Sequence, residues 1–282
     1  MKPKDSWRLT PLLSLALGEA STLFQAALIP GLLILAGIFI TNTLINRKYA
    51  YEQGQLMTFS AWVRQLLAAL KRGWYAFIVP ALIFIGIFSG SLTPTEAGAT
   101  AVVVTIIIGF VIGTLRLSDF APMLVSSAKV NGVIIPIIAF SLPLAQVLAT
   151  MNVPQGFVAA VTSLSENPTV IILMMIGILI AAGCVMETTP NIVILAPILK
   201  PLADQIGMNE IQFCVLMITT LGVGFITPPM GLNLFVVAGL TGESILKIAR
   251  QAVPFVLSML VIALFIAFVP ELTTVLLPEA YK

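Results

Sequence analysis

Residues 211–240 read IQFCVLMITTLGVGFITPPMGLNLFVVAGL, a run without a single charged side chain whose centre is crowded with Gly222, Gly224, Thr227, Pro228, Pro229, Gly231 and Asn233. Two consecutive prolines forbid a continuous helix, so the stretch is predicted to form two helical arms joined by a hairpin tip or an unwound segment. In hydrocarbon every backbone N–H and C=O must find a partner, and a broken helix at depth is tolerated only against protein or a water-lined cavity. The other reading, a loop between two complete crossings, asks much of this block, because one crossing takes about 20 residues.

Two further breaks interrupt the chain in the same way. Gly90-Ser-Leu-Thr-Pro-Thr-Glu96 splits the apolar block 74–115, and Met186-Glu-Thr-Thr-Pro-Asn191 splits 169–199. Gly90-x-x-Thr-Pro and Gly224-x-x-Thr-Pro repeat one local pattern 134 residues apart, a hint of duplicated architecture.

The surroundings fix the class. Over 282 residues the chain is 59% apolar and 9% charged, with a mean hydropathy of +1.08, far from the roughly 25% charged residues of a soluble domain. Apolar runs of helical length predict an all-α integral membrane protein, a polytopic helical bundle with broken helices and a re-entrant hairpin. A net charge of +2 with dispersed basic residues excludes a nucleic-acid footprint. The absence of histidine removes His-based triads and His metal sites. Cys184 and Cys214 lie in apolar sequence and read as small buried residues rather than a disulfide.

Spans are predicted at 26–45, in two segments within 74–115, at 132–150, in the broken block 169–199, in the hairpin 211–240 and at 252–269. Residues 46–72 carry Arg47, Lys48, Arg64, Lys71 and Arg72 against one acid, Glu52, which places that connector on the cytoplasmic side. Within it Trp62, Val63, Leu66, Leu67, Leu70 and Trp74 fall on one helical face, predicting an amphipathic helix in the interface. The stretch 151–168 lacks Lys and Arg and reads as an external loop. Both hairpins are predicted to enter and return on the cytoplasmic side, and the acidic end with Glu271 and Glu279 to lie outside. The opening MKPKDSWRLTPLLSLALGEA is basic, then moderately apolar, and reads as retained rather than cleaved.

The breaks carry the chemistry. Ser89, Ser91, Thr93 and Thr95, with carbonyls released around Pro94, offer hard oxygen ligands of the kind a sodium ion takes. Glu96 has two readings: a charged member of that site, or a first-turn residue of a helix that Pro94 begins. In the second motif Thr219, Thr220, Thr227 and Asn233 supply oxygens, and the helix after Pro229 points its positive end at the gap. Glu187, beside Thr188, is a carboxylate in apolar sequence. Such an acid is costly and marks a site by default; it is read as a cation ligand, a proton carrier or a partner of Lys129, or alternatively as a residue at the far interface.

These motifs are similar to those of a known family. SGSLTPTEAGATAVV resembles the threonine-proline-threonine-glutamate motif of the large permease subunit of TRAP transporters, the DctM family. CVMETTPNIVILAPILKPLADQIGMNEIQFCVLMITTLGVGFITPPMGLNLFV resembles its C-terminal signature, and the likeness extends from about Leu23 to Pro278. The resemblance implies an elevator-type, sodium-coupled importer of organic anions such as dicarboxylates or sialic acids in the bacterial inner membrane, not an enzyme. It implies as partners a small four-helix membrane subunit and an extracytoplasmic substrate-binding protein. The implied substrate and ion site comprises Ser91, Thr93, Pro94, Thr95, Glu96, Glu187, Thr188, Gly224, Thr227, Pro228, Pro229 and Asn233, with Thr93, Thr95 and Thr227 as sodium ligands; no other cofactor is implied. Residues 1–282 are then one transmembrane permease domain with 46–72 as its connector. Family members are longer, and their first repeat has no counterpart here, which implies a further chain supplying it. The alternative is a truncated, non-transporting membrane remnant or accessory subunit.

Overall fold

The computed structural model describes residues 22–47, 58–229 and 231–277. The opening segment, the first half of the connector and Glu279 lie outside these residues. The described chain is helical throughout: α1 (Leu28–Asn46), α2 (Phe59–Gly73), α3 (Ile78–Phe88), α4 (Pro94–Ile112), α5 (Phe120–Thr150), α6 (Val153–Leu164), α7 (Pro168–Val185), α8 (Thr188–Gln205), α9 (Glu210–Gly224), α10 (Leu232–Thr241), α11 (Ile245–Phe268) and the single turn α12 (Glu271–Thr274). Among the described residues, six helical segments are long and apolar enough to cross a membrane. Phe140, Val111 and Leu246 are among many large apolar side chains left at least three-quarters exposed. A surface of that kind is stable against lipid, so the chain is a multi-pass membrane protein.

Contacts gather the chain into two compact units, one built on 58–128 and the other on 26–47 with 129–277. In the first, α2 runs through a short 3-10 turn (Trp74–Phe77) into α3, and α3 packs on α4. Leu92 folds back over Gly86, where a Cβ would meet its Cδ1 at 2.6 Å.

In the second unit α9 is the central element. It packs on α7, α8, α11 and α12, and Ile211, Phe213, Val215, Leu216, Met217, Leu221 and Val223 along it are buried. Its N-terminus is capped by Asn209, whose Oδ1 accepts from Ile211 N at 2.9 Å. Gln212 is 2% exposed and its Nε2 donates to the carbonyls of Ile266 (2.9 Å) and Ala267 (3.0 Å) at the end of α11. Those carbonyls belong to the last turn, which has no intrahelical donors of its own. Helix α1 packs along α11, with Gly37 facing Ile262 and Ser258 so closely that a Cβ would sit 2.7 Å and 2.8 Å from their side chains.

Two sequence expectations need correction. Residues 151–168 are not an open loop: α6 occupies Val153–Leu164 and packs on α8. Its lack of Lys and Arg says only that it avoids basic charge, whereas Val153, Phe157, Val161 and Leu164 follow helical spacing and Pro154 suits a first turn. The span expected from residue 132 starts earlier, at Phe120, and continues through Pro136 and Pro143 to Thr150. Lys129 therefore lies within a helix rather than ahead of one.

Candidate functional site

All three predicted breaks are present, and each is built differently. At the first, α3 ends at Phe88 and Gly90 takes a left-handed φ of 67°, as a residue just past a helix end commonly does. Leu92 N donates to Gly86 O at 3.0 Å, and Ser89 Oγ lies 3.2 Å from Gly86 O and 2.9 Å from Ser91 Oγ. Thr93 then caps α4. Its Oγ1 accepts from Glu96 N (3.1 Å), and the Glu96 carboxylate accepts from Thr93 N (2.8 Å), a reciprocal capping box with Pro94 at the first helical position. Glu96 thus makes the helix-capping contacts of its second reading. Ser91, Thr95 and Glu96 are exposed, and Thr93 is half-buried.

The third break follows α7. The chain is extended through Met186 and Glu187, and α8 starts at Thr188. Glu187 stands at the N-cap but makes no capping hydrogen bond through its side chain. Asn191, fully buried, takes up the slack. Its Nδ2 donates to Ala182 O (3.2 Å) and Met186 O (3.0 Å), tying the end of α7 to the first turn of α8. Among the described residues the ion pairs are Lys200–Asp204 and Lys247–Glu243, so the expected Glu187–Lys129 pair is not formed.

The second break follows α9. Thr227 N donates to Gly224 O (3.0 Å) and its Oγ1 to Val223 O (2.7 Å), while Gly231 N returns to Thr227 O (3.2 Å) and Asn233 N to Phe225 O (3.3 Å). Pro228 and Pro229, joined by a cis peptide, are exposed at the tip. Gly231 is required here: a Cβ would stand 2.7 Å from Phe225 O and 2.8 Å from Thr227 O. The break thus satisfies most of its own backbone, and the carbonyls it presents have one lone pair already engaged. Helix α9 at 15 residues and α10 at 10 rise about 22 and 15 Å. Neither reaches across a hydrocarbon layer of ~30 Å, as the re-entrant reading expects.

The structure brings the second and third breaks together. A Cβ on Gly224 would lie 2.5 Å from the Gly183 carbonyl carbon, and one on Gly183 would lie 2.8 Å from Leu221 O. Backbone meets backbone, the closest approach two helices can make. Beside this crossing is a cavity of about 190 Å³ lined by Gly183, Cys184, Val185, Met186, Glu187, Phe225 and Phe235. Glu187 thereby shares a cavity with Phe225 and Phe235 of the second break, while Asn233 is exposed on α10. Two oxygens near these breaks have no hydrogen-bond partner although fully buried: Asn191 Oδ1 on α8 and Thr220 Oγ1 on α9. Sequence reasoning named Thr220 as an oxygen donor but passed over Asn191 and Gly183, whose roles arise only when α7 lies against α8 and α9. Cys184 and Cys214 are both free thiols, as expected.

The family profile for the tripartite ATP-independent periplasmic transporter, DctM component, matches residues 12–272. The chain belongs to the DctM family. It is 32% identical over 255 residues to a C4-dicarboxylate TRAP transporter large permease protein of Pseudomonas aeruginosa, covering 90% of this chain and 59% of that protein. It is 30% identical over 261 residues to a sialic acid TRAP transporter large permease protein of Vibrio cholerae, covering 92% and 60%. An isethionate TRAP transporter permease protein of Oleidesulfovibrio alaskensis is 29% identical over 251 residues, covering 89% and 39%. The chain therefore spans about three fifths or less of the length of these relatives. The family is one of transporter permeases, not of enzymes.

Proposed function

We propose that this chain forms the second-repeat portion of a TRAP large permease in a bacterial inner membrane, working in sodium-coupled, binding-protein-dependent import of an organic anion. The observation that carries this reading is the junction of two helix breaks around Glu187, Gly224 and Thr227 beside a small cavity. Dicarboxylates, sialic acids and related carboxylates are the substrate class, in keeping with the names of its relatives. A small four-helix membrane subunit and an extracytoplasmic binding protein complete the assembly.

In this reading Thr227 is a sodium ligand. Its hydroxyl proton is committed to Val223 O, so its lone pairs face outward. The carbonyl of Gly224 adds a hard oxygen on the same break, and the carboxylate of Glu187 and the hydroxyl of Thr188 add others on the facing one. Thr93 and Thr95 play the matching part at the first break, with Ser91 beside them. The helix starting after Pro228-Pro229, near Asn233, directs its N-terminal dipole toward the anion. At the first break that role is closed, because Glu96 already occupies the α4 N-terminus.

Uptake of a labelled dicarboxylate or sialic acid into proteoliposomes holding all components tests this. Uptake requires a sodium gradient, and replacing sodium by potassium abolishes it. Thr227→Ala raises the sodium concentration for half-maximal uptake by roughly tenfold, equivalent to about 1.4 kcal/mol of lost ion binding. Unchanged sodium dependence in that variant moves the site away from the second break. No uptake in any complete reconstitution favours the non-transporting accessory role instead.

A further inference from the structure

Helix α2 contributes nothing to the core: none of its residues is buried. Yet its sides are sharply divided. Phe59, Trp62, Leu66, Leu67 and Leu70, followed by Trp74, form one continuous apolar stripe at helical spacing, and each is more than two-fifths exposed. Arg64, Lys71 and Arg72 lie together on the opposite side, all exposed. A stripe of that size facing water would be an aggregation liability, so it has an occupant.

The charge pattern says which. No Asp or Glu occurs between Glu52 and Glu96, so α2 carries three cations and no acid. Lys200 is paired with Asp204 and Lys247 with Glu243, each four residues away, whereas the α2 cations have no acid within their own helix. A protein partner covering the apolar stripe has no use for uncompensated cations on the far side. A membrane surface does, because a helix lying in the interface buries one face among acyl chains and leaves the cations of its polar face among the phosphates.

We propose that α2 is a docking element for anionic phospholipid, with Trp62, Leu66 and Leu70 in the acyl region and Arg64, Lys71 and Arg72 on lipid phosphates. Guanidinium groups suit phosphate through paired N–H donors. The helix leads directly into α3 and the first break, so headgroup charge fixes the depth at which that arm enters the bilayer. This assignment stands independently of the transport reading.

The test uses the full chain in vesicles of phosphatidylcholine alone or with about one-third phosphatidylglycerol. Amide exchange across 59–73 is expected to be roughly a hundredfold slower in the anionic vesicles, since each cation near such a surface adds to binding and three act together. Arg64→Gln/Lys71→Gln/Arg72→Gln removes the difference between the two lipids, and high salt does the same to the unmodified chain, which covers a failure of the variant to fold. In a Trp7→Phe background, lipids brominated near the top of the acyl chain quench Trp62 and Trp74. Equal exchange in both lipids overturns the proposal. So does protection that survives the triple substitution, or protected amides with unquenched tryptophans, which would mean that the stripe packs on protein.

Discussion

The first and second breaks share the pattern Gly-x-x-Thr-Pro and use it in opposite senses. Gly90 is needed for its left-handed φ and has open space around it; Gly224 is helical, buried and needed because the Gly183 backbone occupies the place of its Cβ. Thr93 accepts a hydrogen bond and begins a helix, whereas Thr227 donates one and finishes a helix. One shared local pattern therefore stands at a helix start in one unit and at a helix end in the other. The determinant is what lies alongside: the second break is pressed against a third, while the first closes on itself through Leu92 and the capping box.

Substitutions that sharpen this contrast can be ranked. The largest effect is expected for Gly224→Ala, whose methyl group meets backbone that no rotamer change can move. It should cost about 3 kcal/mol, read as a fall in thermal midpoint of the detergent-solubilised chain. Gly90→Ala faces only the left-handed conformation and should cost about 1–2 kcal/mol. If the two variants melt alike, the distinction between a packing glycine and a conformational glycine fails. Asn191→Leu should cost about 2 kcal/mol, because it takes the donor from both Ala182 O and Met186 O and unties α7 from α8. At the first break Thr93→Ala should cost about 1 kcal/mol as a lost N-cap. Thr93→Ser should restore it, and a Ser variant as weak as the Ala variant would show that the methyl group matters more than the cap. The smallest effect belongs to Thr220→Val, expected within about 1 kcal/mol of the parent because the hydroxyl has no protein partner to lose. A drop as large as that of Asn191→Leu would reveal that the hydroxyl is held by an internal water or ion, giving the second break a buried polar partner that the first lacks.

The breaks themselves were legible because Pro94, Pro190 and Pro228-Pro229 stand in clusters with glycine, threonine or a second proline, whereas the isolated Pro136 and Pro143 are carried within α5. The spans were legible because hydropathy is a property of single segments. Helix α6 was missed because only its charge was weighed, not its apolar spacing. The meeting of Glu187 with Phe225 and Phe235 was not legible, since it depends on two glycines 41 positions apart letting α7 and α9 touch. Glu96 had two readings for a related reason: from sequence alone a carboxylate three residues after Thr93 fits a capping box and an ion site equally well, and the backbone geometry adds the capping box.

The amide of Gln212 has a consequence for biogenesis. It sits at the start of α9 and serves carbonyls of residues 266 and 267, more than fifty positions later in the chain. Synthesis runs from N- to C-terminus, so α9 is made before the acceptors of its Gln212 amide exist, and α11 must be almost complete before that donor meets them. The second break cannot settle into its final surroundings while the chain is still emerging. A chain stopped within α11 would therefore hold every residue of the second break and still lack the bond that seats the helix carrying it.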